Sequence, residues 1–284
     1  MSSKTSVLYD FLKTKKCKTG IKPTHTRIGD TEQNIHGGSY TIKTSDEIEI
    51  FKKLYYESVF ENGNMEYLTE KQLIENGPIL VDIDLHYDSE IKEKQHTEDH
   101  ILDLIVTYAD KCKELLNIED EAKIDIFIME KKNVNILDNK TKDGIHIIIG
   151  LSMHKALQVI LREKVLSEIE NTWDDLPIIN TWEDVFDMGI TKGFVNWQMY
   201  GSRKPGNQAY LIKHYYTLTN TEENWTINDN CIKDFNTKKM FEKLSARYTG
   251  YTEYPINNSI INEFEAQKKS LEKKKSTVSD ANIF

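Results

Sequence analysis

The chain has 284 residues, of which 38% are hydrophobic and 29% charged, and its formal net charge is −9. These values are typical of a globular protein with one large or two modest domains, and the negative charge argues against a protein that coats nucleic acid nonspecifically. Because the sequence has no apolar run of about 18 residues, no signal-like N-terminus and no Cys-x-x-Cys pair, we expect an intracellular protein without a membrane partner, a disulfide framework or a cysteine zinc site.

Residues 1–75 are predicted to form an N-terminal α/β module. A short helical pattern covers residues 6–13, a short strand covers 39–42, and a helix covers 45–59 with Ser45 or Asp46 as its cap. Residues 76–78, Asn-Gly-Pro, predict a turn that ends this module.

The segment 79–86, Ile-Leu-Val-Asp-Ile-Asp-Leu-His, is the most informative part of the sequence. Its apolar and β-branched residues predict a buried strand, on which Asp82 and Asp84 share one face because side chains alternate across a strand. Two carboxylates in such a strand are costly unless positive charge meets them. A divalent cation bound by oxygen ligands is the usual solution, so we expect a metal site here.

The following elements predict a split βαβ arrangement. A helix over 97–116, strands over 124–129 and 145–151, a helix over 155–173 and an extended segment near 185–186 follow the acidic strand. This order is typical of an α+β sheet of the ferredoxin-like or RNA-recognition-motif (RRM)-like type. The first strand would then lie centrally, with the third strand on one side and the fourth on the other.

The predicted core spans 76–256. Two further strand-like runs, 197–201 and 209–218, complete it, and residues 257–284 are predicted to form a polar C-terminal helix and linker.

Two other motifs carry chemically useful groups. In the first, Lys142 and His146 could contact a phosphate, and Gly144 would let a ligand approach the backbone closely. In the second, Asp187 could complete a three-carboxylate site, and the turn that follows could bind a triphosphate through Ser202, Arg203 and Lys204. Taken alone, the first is more simply interpreted as a core histidine and the second as an ordinary hairpin with a solvated basic tip.

Other candidate residues are interpreted as structural. His96 and His100 lie at a helix start without carboxylate or cysteine partners at a recognisable spacing, so we do not expect them to bind metal. Trp173, Trp182, Trp197 and Trp225 are expected in the core.

Together the three motifs resemble those of the archaeo-eukaryotic primase (AEP) superfamily, which includes the primase-polymerases. The matching residues are the acid pair Asp82 and Asp84, the Gly144-Ile145-His146 triplet, and Phe186-Asp187. The run 196–206, Asn-Trp-Gln-Met-Tyr-Gly-Ser-Arg-Lys-Pro-Gly, is especially similar to the N-terminal primase module of the primase-helicases of large nucleocytoplasmic DNA viruses.

This resemblance implies a DNA primase or primase-polymerase that acts in viral DNA replication. Asp82, Asp84 and Asp187 would hold two Mg²⁺ or Mn²⁺ ions, and the nucleotide would be bound by Lys142, Gly144, His146, Ser202, Arg203 and Lys204. The implied partners are a single-stranded DNA template, nucleoside triphosphates and a superfamily 3 helicase domain in the same or a neighbouring polypeptide. The implied compartment is the viral factory in the host cytoplasm, or the nucleus.

Two residues depart from the pattern. Gly144 stands where many relatives carry serine, which removes a hydroxyl contact to the nucleotide, and Gln198 stands where primase-polymerases often have arginine.

Three alternatives remain open at this stage. A glycosyltransferase can also bind a metal and a nucleotide-sugar through Asp-x-Asp, although it has no use for Asp187 or the basic turn. A noncatalytic RRM-like module would bind strands without metal, and its central strands should carry aromatic residues. A nuclease could use the same carboxylates.

Overall fold

The computed structural model describes residues 6–222 and 224–281, with side-chain surroundings through residue 273. Two β-sheets and eight α-helices account for its regular structure. The strands are β1 (His25–Arg27), β2 (Gly38–Tyr40), β3 (Leu68–Glu70), β4 (Asn76–Tyr87), β5 (Lys123–Glu130), β6 (Asn135–Ile136), β7 (Thr141–His154), β8 (Trp197–Gln198), β9 (Leu211–Asn220) and β10 (Trp225–Asp229).

The long helices agree with the sequence predictions. The helices are α1 (Val7–Thr14), α2 (Ser45–Tyr56), α3 (Glu98–Leu115), α4 (Lys155–Thr172), α5 (Trp182–Val185), α6 (Met188–Thr191), α7 (Thr237–Met240) and α8 (Ile261–Ala281). A π-helical turn, Glu57–Glu61, continues α2. None of the helices in the described ranges is both long and apolar enough to cross a membrane.

The larger sheet has the strand order β10-β9-β5-β7-β4, and every neighbouring pair in it is antiparallel. β6 pairs with β7 beside this path. In the β4–β7 ladder, Asp82 lies opposite His146 and Asp84 lies opposite Gly144. The first two sequence motifs are therefore cross-strand neighbours.

One face of this sheet packs against helices. Ile79, Val81, Ile83 and Leu85 of β4 belong to a hydrophobic core with residues of α3 and α4. α8 packs on α4 and buries Phe264 and Leu271 in the same core. The predicted C-terminal helix is thus present, and its first part packs against the protein.

The opposite face packs against the N-terminal elements. Leu80 of β4, Phe127 and Met129 of β5 and Ile148 of β7 form a second core with apolar residues from α1 and α2. Because side chains alternate along a strand, Asp82 and Asp84 share the face of Leu80. The acids therefore point toward the N-terminal elements.

The smaller sheet connects the N-terminal elements to the segment that follows Asp187. Its order is β2-β1-β3-β8, so β8, which follows Asp187 in the sequence, pairs with β3 from the first 70 residues. In this pairing Thr69 lies opposite Gln198, and Glu70 lies opposite Trp197.

Several local predictions were wrong. Residues 76–78 are not a turn, because they pair with the end of β7, with a register shift after Pro78. Thr44, not Ser45 or Asp46, caps α2, and it forms a capping box with Glu47.

The fourth strand predicted near residues 185–186 is also absent from the sheet as a regular strand. Residues Trp182–Val185 form α5, and only a single bridge, Ile83–Phe186, flanks β4. Among the regular strands, β4 is therefore at the edge of the sheet instead of its centre.

Candidate active site

A cleft of about 410 Å³ lies between the acid-bearing face of the large sheet and the small sheet. It brings together all of the sequence-predicted site residues except Ser202. The predicted residues that line it are Asp82, Asp84, Lys142, Gly144, His146, Asp187, Arg203 and Lys204. The cleft is also lined by Thr69, Lys131, Asn196, Trp197, Gln198 and Tyr210.

The two acids of β4 have different electrostatic environments. Burial alone would raise the pKa of Asp82, but His146 and, more weakly, Lys204 and Lys131 lower it below its usual value. The His146 Nε2 atom lies 3.4 Å from Asp82 Oδ1. Burial and the neighbouring charge of Asp82 raise the pKa of Asp84. Neighbouring carboxylates whose pKa values diverge in this way are common at functional sites.

His146 is held inside a stack of side chains. Its ring lies 3.6 Å from that of Tyr210, nearly parallel at 13°, and 4.3 Å from that of Trp197. The Lys131 ammonium lies 4.7 Å from the centre of the Tyr210 ring. We call Lys131, Tyr210, His146 and Trp197 the histidine stack. It fixes the orientation of the imidazole toward Asp82.

Asp187 reaches the cleft through backbone contacts with β4. Its amide donates to the carbonyl of Asp82 at 3.0 Å, beside the Ile83–Phe186 bridge. Its Oδ1 accepts from the amides of Gly189 at 2.6 Å and Ile190 at 3.0 Å, so this oxygen caps α6.

The three acids therefore line one cleft without forming a closed chelating cluster. Across the residues that the structure describes, no group of three or more His, Cys, Asp or Glu side chains is arranged to hold a metal ion. The metal assignment of Asp82, Asp84 and Asp187 stays a prediction.

The basic turn is anchored by the small sheet. The Arg203 amide donates to the carbonyl of Glu66 at 2.9 Å, and the Ser202 hydroxyl donates to the same carbonyl at 2.8 Å. Ser202 is fully buried and does not line the cleft, so its hydroxyl is used to hold the turn instead of facing a ligand. The side-chain amide of Gln198 donates to the Ser202 carbonyl at 2.6 Å, so Gln198 also helps to anchor the turn.

The sequence interpretation missed Lys131 and Tyr210. Lys131 directly follows β5, and Met129 and Phe127, two and four residues earlier, lie on the face that carries the acids. Strand alternation could therefore have placed Lys131 on the cleft side. Tyr210 belongs to the strand predicted over 209–218 but lies just before β9, so strand alternation does not give its direction.

His96 and His100 both pair with carboxylates that lie far from them in the sequence. His96 lies between Glu130 and Asp143, with ring nitrogens 3.1 Å from a carboxylate oxygen of each. Burial alone would lower the pKa of His96, but the two carboxylates raise it to about 9. The ring of His100 accepts the Thr97 amide in a capping box and pairs with Asp175 at 2.9 Å.

Comparison with known proteins identifies the family. Residues 29–216 match the family described as the C962R protein N-terminal AEP domain, and the chain belongs to this AEP family. The chain is also 28% identical over 219 residues to the "Putative helicase L207/L206" of Acanthamoeba polyphaga mimivirus. That alignment covers 76% of this chain but only 22% of the mimivirus protein. The family resemblance drawn from the sequence motifs is confirmed.

Proposed function

We propose that this chain is a DNA primase or primase-polymerase that carries out template-directed nucleotidyl transfer in viral DNA replication. The observation that carries the proposal is the cleft, where an acid pair, a strand histidine, a third acid and four basic side chains meet. Family membership supports the same class of reaction. It also favours this assignment over the glycosyltransferase alternative.

The acids suit divalent cations. Asp82 and Asp84 lie on one face of β4, and burial together with mutual repulsion makes a compensating positive charge favourable there. Asp187 could add its second oxygen while the first keeps capping α6. Two bound Mg²⁺ or Mn²⁺ ions would activate the attacking 3′-hydroxyl and neutralise charge on the leaving pyrophosphate.

The basic groups suit a triphosphate. Lys131, Lys142, Arg203 and Lys204 line the cleft around the acids. In a partly closed site, such donors stabilise the charge that develops on the transferred phosphate more strongly than they would in bulk water. His146, fixed by the histidine stack, would present its imidazole to the nucleotide or to Asp82 without reorganising.

The domain organisation and a partner domain are proposed on the same basis. The order β5-β7-β4 followed by the Phe186 bridge suits an RRM-like core whose fourth strand is reduced to one bridge. We assign residues 1–75 to the N-terminal module, 76–256 to the catalytic core and 257–284 to a polar C-terminal helix and linker. The mimivirus relative is named a helicase and is much longer than the aligned segment, so we propose that a helicase domain works with this chain.

The decisive experiment measures incorporation of labelled nucleotides on single-stranded DNA with Mg²⁺ or Mn²⁺, with and without a primer. We expect Asp82→Asn and Asp84→Asn to lower incorporation by at least about 100-fold, since each removes a charge that the reaction needs. Asp103→Asn, at an exposed position of α3, is the matched control and should behave as the unsubstituted protein.

The outcomes separate the alternatives. Product without a primer identifies a primase, and product only with a primer identifies a polymerase. Strand binding with no product in either metal would overturn the proposal in favour of a noncatalytic binding module, and shortening of the added strand would favour a nuclease.

A further inference from the structure

Tyr210 occupies a special place beside Gly144. A side chain at position 144 would point at the Tyr210 ring, where its Cβ would overlap the hydroxyl and lie 3.2 Å from Cζ. The φ angle of Gly144 is not in the left-handed region, so the backbone itself would accept another residue. A side chain at position 144 would therefore require Tyr210 to move.

The Tyr210 hydroxyl is oriented but has no partner. Its side chain is only 7% exposed, and it lines the cleft. Within residues 6–222 and 224–273, no hydrogen bond to this hydroxyl is formed. This hydroxyl is not fully buried but opens into the cleft, where it can donate a hydrogen bond to a ligand.

The hydroxyl also lies next to the reacting groups. Gly144 is the cross-strand partner of Asp84, so a group above Gly144 is adjacent to the acid pair. The ring that carries the hydroxyl is packed against His146 and Lys131, which limits its movement.

We propose that Tyr210 is a nucleotide-binding residue whose hydroxyl donates a hydrogen bond to an oxygen of the bound nucleoside triphosphate. This inference rests on the proposed function. It also accounts for the absence of a side chain at position 144, because the Tyr210 hydroxyl fills the space beside Gly144.

The test is a set of substitutions at the two positions, with binding of dATP in the presence of Mn²⁺ measured by calorimetry. Tyr210→Phe keeps the ring and removes the hydroxyl, so we expect affinity to fall about five- to tenfold with an unchanged melting temperature. Gly144→Ser alone should weaken binding and lower the melting temperature, because the new side chain must displace Tyr210. The double variant Gly144→Ser/Tyr210→Phe restores both the space and a hydroxyl, so its affinity should return to within about threefold of the original.

Two controls separate the hydroxyl from packing. Gly144→Ala/Tyr210→Phe relieves the crowding without restoring a hydroxyl, so its melting temperature should recover while its affinity stays low. Tyr200→Phe removes a hydroxyl from a tyrosine of similar burial that accepts the Ile212 amide and does not line the cleft, so its affinity should be unchanged.

Each contrary result has a distinct meaning. If the unsubstituted protein binds dATP and Tyr210→Phe binds it equally well, the role of Tyr210 is overturned and the proposed function stands. Equal affinities of the two double variants would also overturn it. If the unsubstituted protein binds no nucleotide with either metal, both proposals fail.

Discussion

At the residue scale, the cleft balances opposing charges. Its lining contains the acids Asp82, Asp84, Asp143 and Asp187 and the basic residues Lys131, Lys142, Arg203 and Lys204. Metal ions on the acids would leave a net positive cleft, which is what a triphosphate requires. Burial lowers the pKa of Lys131, because less solvent reaches its ammonium group to stabilise the charge.

We therefore expect the charge of Lys131 to contribute to nucleotide binding and not to the stability of the fold. Lys131→Met removes the charge and keeps the aliphatic chain over Tyr210, so the KM for nucleotide should rise about tenfold with little change in kcat. Steady-state extension assays over a range of nucleotide concentrations measure both constants. Lys132→Met is the matched control, since Lys132 is exposed and does not line the cleft. A lower kcat at unchanged KM in Lys131→Met would contradict the assignment.

At the element scale, the long periodic segments were predictable and the short irregular ones were not. The acid-bearing strand and helices α3 and α4 have apolar patterns that fix their type. Residues 76–78 have the composition of a turn, yet pairing with the end of β7 extends β4 through them. Such tertiary pairing overrides local preference and cannot be read from residues near in sequence.

The candidate site divides in the same way. Asp82 and Asp84 lie on the predicted strand, where strand alternation places them on one face. Gly144 and His146 join them there through the pairing of β4 with β7. The burial of Ser202 was not predictable, because its partner is the carbonyl of Glu66, 136 residues away in sequence. Tyr210 likewise depends on a long-range contact with His146.

A buried charge cluster joins three elements beneath the site. His96, just before α3, bridges Glu130 at the end of β5 and Asp143 of β7, and Lys94 also contacts Glu130 at 2.6 Å. Asp143 Oδ1 accepts the Gly144 amide at 2.9 Å, so the cluster helps to fix the backbone at Gly144.

The cluster should make stability depend on alkaline pH. The folded-state pKa of His96, about 9, lies above its ordinary value of 6.5. Its contribution is therefore complete below pH 6.5 and is lost as the pH rises through 9. Urea unfolding should show a loss on the order of 2 kcal/mol between these limits. In His96→Gln that step should be absent and the stability at neutral pH lower.

The control for this prediction is His100→Gln, because His100 pairs with the exposed Asp175 outside the cluster. This variant should keep the alkaline loss. An identical pH profile for His96→Gln and the unsubstituted protein would show that His96 does not carry the effect.

At the scale of the whole molecule, the site belongs to two sheets at once. The acids and His146 lie on the large sheet, whereas the basic turn is held by Glu66 next to the small sheet. Glu66 in turn forms a buried ion pair with Arg27 of β1 at 2.6 Å. The geometry between the acids and the basic turn therefore depends on the packing of the N-terminal elements on the large sheet.

We accordingly expect a fragment beginning at residue 76 to lose both its fold and its site. Removal of residues 1–75 exposes Leu80, Phe127, Met129 and Ile148 and leaves β8 without its partner β3. At roughly 1.5–3 kcal/mol for each large apolar side chain, the loss is comparable with the whole stability of a typical domain, about 5–15 kcal/mol. Size-exclusion chromatography and near-ultraviolet circular dichroism should reveal an aggregating chain without fixed tertiary structure, and calorimetry should detect no nucleotide binding. A monomeric fragment that binds nucleotide with unchanged affinity would instead mean that the large sheet alone holds the basic turn in place.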